Sequence, residues 1–271
     1  MNHKASPFTV PLSISVVVLL ASIFALSGCA KKPGPCGEGR GNIKDEALCV
    51  GRGPESLPGA DEDYLADMDY GVTKDPREVA ARLQPFVPGI SPEEAVKRVV
   101  KGRNNWILWT GGNDRLWDVL SVKSIGNLDF LKTLSNHPNL KYSRDSRWKF
   151  LGIVNEPCFE KGKGPREDRF GLWLDTRRAD CPADPFEDEQ KYPGVKIGAR
   201  GKDKLPVGSY YGYATGVVGL RLFPNPAFDA AAERRWDAEQ FYTDPDYYND
   251  KDLVRPYRVG MSCGFCHVGP N

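Results

Sequence analysis

Histidine and methionine are scarce in this chain, at three residues each among 271. Charge of one sign is missing too: 37 Lys and Arg stand against 36 Asp and Glu, with a pI near 7.5. That balance argues against a nucleic-acid partner, which selects a basic excess or stripe. Long hydrophobic runs are lacking beyond a single one near the N-terminus. With 40% hydrophobic residues and a mean hydropathy of −0.47, a multi-span membrane protein is excluded. Wholesale disorder is excluded in turn by six Trp, eleven Tyr and twelve Phe. What is abundant is turn-forming backbone: 28 Gly and 22 Pro predict few long elements and much irregular chain. Cysteine, at seven, is odd in number and needs an explanation.

The one apolar run, Val10 to Leu26, follows His3 and Lys4 and contains Pro11 and several serines. It is short for a spanning helix and suits a signal-peptide core. It ends in Leu26-Ser27-Gly28-Cys29, which resembles the bacterial lipobox. The resemblance implies that Cys29 receives diacylglycerol and becomes the mature N-terminus. The protein would then be anchored to a bilayer without spanning it. Ala30, standing where inner-membrane lipoproteins carry Asp, points to the outer membrane and its periplasmic face. An ordinary secretory signal or a single anchor helix is the competing reading.

At the other end lies Met261-Ser262-Cys263-Gly264-Phe265-Cys266-His267. Cys-x-x-Cys-His resembles the attachment motif of c-type cytochromes. Two thiols three positions apart share one helical face, so they can add to the two vinyl groups on one edge of a porphyrin. The next residue, His267, then supplies the proximal nitrogen to iron. The motif thus implies haem c held by Cys263, Cys266 and His267. A zinc or redox Cys-x-x-Cys is the rival. Zinc lacks its other ligands, since there is no second Cys-x-x-Cys and no His pair. A thioredoxin-like motif would be followed by a long helix, whereas only five residues follow Cys266. Haem attachment on the exported side agrees with the signal.

One lipid site and two haem thioethers leave Cys36, Cys49, Cys158 and Cys181. In an oxidising compartment these suggest two disulfides, with three connectivities open; proximity favours Cys36–Cys49 and Cys158–Cys181.

Composition divides the chain as follows. Residues 1–28 read as signal peptide and 29–60 as a Gly/Pro-rich tether. Residues 61–140 read as a helical unit. Asp75-Pro76-Arg77-Glu78 and Ser91-Pro92-Glu93-Glu94 each give an N-cap, Pro at N1 and an acid at N3. The first helix should end near Gln84. The second should carry Val96, Val99, Val100 and Arg103 on one face towards Trp106 and Trp109. Asn113 is expected to cap a helix with Leu116, Trp117 and Leu120, and a further short helix should hold Leu128, Phe130, Leu131 and Leu134. Residues 141–262 are looser, with candidate strands at 151–154, 171–174 and 216–222. Gly212, Gly216 and Gly219 fit no nucleotide-loop pattern and read as tight turns or close backbone packing. The acids of Asp184–Glu189 read as a solvated loop, with Ca²⁺ as the alternative. Residues 263–271 read as the start of a haem domain. The fold class expected is mainly α with irregular, loop-rich segments and a few short strands.

A sixth haem ligand would have to be His137 or Met68, since His3 leaves with the signal and Met261 is too near the motif to reach around the ring. Arg255 and Arg258 could pair with haem propionates, with ordinary surface charge as the alternative. Trp106 and Trp109 are read as core aromatics or redox relays.

The segment Gly102 to Asn113, taken with Met261 to Asn271, is similar to periplasmic di-haem or multi-haem cytochromes related to di-haem peroxidases and rubber oxygenases. In that family a large N-terminal region precedes the first haem and a second Cys-x-x-Cys-His lies downstream. The resemblance implies that the chain is the leading part of a longer protein. The function expected is a membrane-anchored c-type cytochrome that passes electrons between periplasmic redox partners. The alternatives are the N-terminal part of a haem peroxidase or oxygenase, and a structural or interaction lipoprotein.

Overall fold

A computed structural model describes residues 61–69, 71–110, 113–123, 128–192 and 211–268. Cys29, Cys36 and Cys49 lie outside the described residues, as does the apolar run. Among the described residues no helix is long and apolar enough to cross a membrane.

Helix starts follow the capping chemistry written in the sequence. α1 (Pro76–Leu83) begins at Asp75, whose carboxylate accepts from the Arg77 and Glu78 N–H groups. α2 (Pro92–Ile107) begins at Ser91, whose hydroxyl accepts from Glu94 N–H at 3.2 Å. Capping of this kind stabilises a helix by about 1 kcal/mol. Val79 and Ala80 of α1 meet Ala95 of α2 in a small core flanked by Val72, Leu83, Ile90 and Val99. α3 (Asp114–Lys123) then packs along a later strand. α4 (Phe130–Thr133) is a single turn capped by Asp129, and α5 (Arg147–Leu151) ends at Gly152 in the left-handed region.

Beyond residue 151 the described residues are mostly loop with brief pairings and short helices. β1 (Phe159–Glu160) pairs antiparallel with β2 (Thr176–Arg177). β3 (Tyr213–Ala214), β4 (Leu220–Pro224) and β5 (Tyr257–Met261) form an antiparallel sheet in the order β3-β4-β5, with Leu222 facing both Tyr213 and Val259. Three short helices, α6 (Ala230–Arg235), α7 (Ala238–Thr243) and α8 (Pro245–Asn249), lie between β4 and β5. Each is capped by an aspartate: Asp229, Asp237 and Asp244. Helices this short cannot persist alone; caps and packing hold them. The last element is α9 (Cys263–His267), reached directly from β5.

The main core joins Phe130, Leu131 and Leu134 to Leu172, Leu174, Val217, Leu220, Leu222, Phe241 and Val259. It therefore runs through both sides of residue 140. Two arginines are sealed in the interior. Arg147 donates to Asp175 Oδ2 at 2.7 Å and to the Thr133 and Leu134 carbonyls. Arg221 donates to Asp184 Oδ2 at 2.8 Å and to the Tyr211 and Gly212 carbonyls. A guanidinium can be buried at these places because its fork of donors is met by backbone and carboxylate together.

The expectation of a mainly α fold is met only in part. Helix makes up 42% and strand 12% of what is described, so the fold is mixed, with short antiparallel sheets and loops. Three local readings are corrected. Leu151 closes α5 instead of starting a strand. Residues 171–174 contribute only isolated bridges, at Leu172 and Leu174. The acids around Asp184 are no solvated loop: Asp184 is buried against Arg221, and Glu187 accepts from Ala214 N–H at 2.7 Å.

Candidate functional site

The Cys-x-x-Cys-His segment is a single helical turn with two unlike faces. Cys263 and Cys266 are both free thiols and both exposed, and His267 is exposed beside them. The spacing puts the two thiols on one side of α9. The inner side is fixed to the body of the protein. Gly264 is buried, and a Cβ there would stand 3.0 Å from the Trp106 carbonyl oxygen. The Phe265 ring lies 5.2 Å from the Phe130 ring, in the main core.

Four further contacts hold the turn. Ser262 Oγ donates to the Ile107 carbonyl at 2.7 Å, tying the turn to the end of α2. Ser262 N–H donates to the Gly219 carbonyl at 2.8 Å. Gly219 has φ +79°, and a Cβ there would meet the Phe265 backbone N at 2.4 Å. That close approach is why glycine occupies the position. Met261 N–H donates to Asn113 Oδ1 at 2.9 Å, and Asn113 Nδ2 donates back to the Met261 carbonyl. The Trp106 ring lies 5.9 Å from the His267 ring, so one side of the imidazole is walled by an indole.

Apolar surface gathers on the elements that carry this turn. Trp106 at the end of α2 is 45% exposed, and α3, which packs along β5, leaves Leu116, Val119 and Val122 uncovered. Chemically, the arrangement offers two thiols for bonds to one planar ligand, one imidazole for a metal, and an apolar wall nearby.

The other predicted site residues lie in different settings. His137 is buried, stacked on Tyr242 at 4.4 Å and edge-on to Trp173. Its Nε2 stands 3.2 Å from Glu239 Oε2, and its Nδ1 accepts from Asn139 N–H. Both ring nitrogens thus have partners within the protein. Met68 lines a cleft with Tyr64, Glu156 and Cys158. Arg255 is no surface charge: it is buried, pairs with Asp129 Oδ2 at 3.1 Å and lies over the Phe241 and Tyr248 rings. Arg258 Nε stands 3.5 Å from Asp118 Oδ2, and burial pushes the Asp118 carboxyl above its usual range. Cys158 and Cys181 are joined, as proximity suggested. Trp109 is edge-on to Tyr211, so the two tryptophans differ: one packs and the other borders the turn.

Among the described residues no group of three or more His, Cys, Asp or Glu is placed to hold a metal ion. Glu156 escaped the sequence reading; Asn113 was expected only as a helix cap, and Gly219 only as a tight turn or a place of close backbone packing, which it is. The chain matches no known protein family, no curated protein and no solved structure.

Proposed function

We propose that this chain is a lipid-anchored c-type cytochrome of the periplasmic side of the outer membrane, and that it passes electrons between periplasmic redox partners. Cys263 and Cys266 are the thioether anchors, His267 is the proximal iron ligand, and the residues from 263 onward begin the haem domain. A haem held there supplies reversible one-electron transfer.

The observation that carries the proposal is the two-faced turn. Two free thiols and an imidazole are presented outward, while Ser262, Gly264 and Phe265 fix the turn from within. The donor set fits a haem c: sulfur at i and i+3, nitrogen at i+4. Trp106 limits the orientations open to His267 and gives an apolar ring a surface to lie against. Export is supported separately by the lipobox-like Cys29 and by the Cys158–Cys181 disulfide, a bond that suits an oxidising compartment.

The test is co-expression with a cytochrome c maturation system, followed by a pyridine haemochrome spectrum of the denatured, acid-acetone-washed protein. One covalent haem per Cys-x-x-Cys-His is expected, lost in Cys263→Ser/Cys266→Ser. An unmodified chain under those conditions overturns the proposal.

A further inference from the structure

Beside the Cys158–Cys181 disulfide lies a cleft of about 170 Å³. Its walls are mostly apolar: Leu65, Met68, Pro157, Pro182, Cys158 and Tyr64. Drug-sized pockets run from about 300 Å³ upward, so this one admits only a small molecule.

Glu156 also lines the cleft, at 6% exposure. Its backbone is fully bonded, the N–H to the Gly216 carbonyl and the C=O to Arg144 Nη2. Its carboxyl oxygens are not among the sealed polar atoms left without a partner, so they reach the cleft, where a donor entering from outside can meet them. Arg221 is held by Asp184 and two carbonyls. Arg177 donates through Nη1 to the Tyr64 hydroxyl, while its buried Nη2 faces Asp184 at 3.8 Å without a hydrogen bond. Burial, with Asp184 and Glu187 close by, raises the Glu156 carboxyl to about 7 despite Arg221 and Arg177. Asp67 adds a further acid to the lining, exposed and paired with Lys74. Three carboxyls, Glu156, Asp184 and Glu187, thus stand near two guanidiniums, Arg221 and Arg177, which leaves the group one positive charge short, and the apolar walls of the cleft do not suit a hydrated metal ion.

We propose that this cleft binds a small organic ammonium ion, its apolar body against Leu65, Met68 and the prolines and its N–H donating to the Glu156 carboxylate. The inference does not rest on haem attachment, and its test can fail or succeed independently.

The probe is benzylammonium, with benzyl alcohol as the neutral counterpart, titrated into the purified full chain by calorimetry. Saturable binding of the amine is expected at pH 8, at least tenfold tighter than the alcohol. With the carboxyl near 7, binding should weaken about 30-fold on going to pH 5.5, as Glu156 takes up a proton. Glu156→Gln should remove the preference for the amine and the pH dependence together. Met68→Trp leaves Glu156 in place but fills the cleft, and should block binding with the thermal melt unchanged. Equal binding of amine and alcohol, no saturable binding at pH 8, or wild-type binding in either variant overturns the proposal.

Discussion

Asn113 grips Met261 by both edges of its peptide, across 148 residues of chain: it accepts from the Met261 N–H and donates to the Met261 carbonyl. A side-chain amide used this way stands in for a missing strand at the edge of β5, next to the residues that enter α9. The last residue of the strand is thereby held to the start of α3, and the thiols that follow are presented from a fixed base.

Replacing Asn113 by Ala removes both bonds and leaves two peptide groups half-covered. The expected loss is about 1–3 kcal/mol of stability. Amide exchange at Met261 should accelerate, while the Cys158–Cys181 bond stays formed. In the maturation system the yield of covalent haem per chain should fall. Unchanged exchange at Met261 would mean that the amide contact adds nothing to the turn.

Gly219→Ala tests the same turn from the opposite side. The backbone there is left-handed, and a methyl group would sit 2.4 Å from the Phe265 nitrogen. Because the obstacle is backbone, no side-chain rotation relieves it. A penalty of several kcal/mol is expected, on the order of 2–4 when strain and displaced packing act together. Urea unfolding measures it. Gly102→Ala, where the added methyl meets nothing within 4 Å, should instead be neutral or mildly stabilising.

The elements that sequence foretold share one property: local chemistry decides them. Asp75-Pro76 and Ser91-Pro92 start helices in the structure as their capping predicts. The pairing of Cys158 with Cys181 followed from proximity. Gly212, Gly216 and Gly219 do lie at positive φ, as tight turns require. What escaped depends on residues far apart in sequence. β5 reads poorly because Arg258 and Gly260 interrupt its hydrophobic pattern, yet it is fixed by β4 on one side and α3 on the other. Arg147 and Arg221 carry no local signal of burial and are sealed inside, because Asp175 and Asp184 arrive from distant loops to meet them. Leu116 lies on the expected helix, yet it is 54% exposed. Of the candidate site, the three motif residues were legible, whereas the long-range contacts that mount them, such as Asn113 to Met261 and Gly219 to Phe265, were not.

Asp175 is the hinge of the larger buried ionic group. Its carboxylate accepts from Asn136 Nδ2 at 2.7 Å, Arg144 Nη1 at 2.9 Å and Arg147 Nη1 at 2.7 Å. Asp175→Asn keeps the shape but leaves the fully buried Arg147 and the largely buried Arg144 without a countercharge. Breaking a buried pair from one side typically costs about 3–5 kcal/mol. Chemical denaturation of the variant should show a loss in that range. A loss below 1 kcal/mol would mean that water reaches the guanidiniums and that the cluster is open.

Glu156 sets a pH dependence whose sign follows from its surroundings. An unfolded glutamate titrates near 4.5, and burial raises the native group to about 7. Between those values the native protein holds a proton that the unfolded chain has released. This group therefore favours folding most below 4.5, and that advantage declines as pH rises towards 7. Above 7 the native state carries the buried carboxylate at a cost on the order of 3 kcal/mol, the free energy of that difference in titration. Glu156→Gln removes the charge while keeping the size. The variant should be more stable than the parent at pH 8 by up to that amount and equal to it at pH 4.5. Urea titrations at both values read the two differences directly. A variant less stable at pH 8 would show that the carboxylate is held by a donor, and that the cleft has no open demand for a cation.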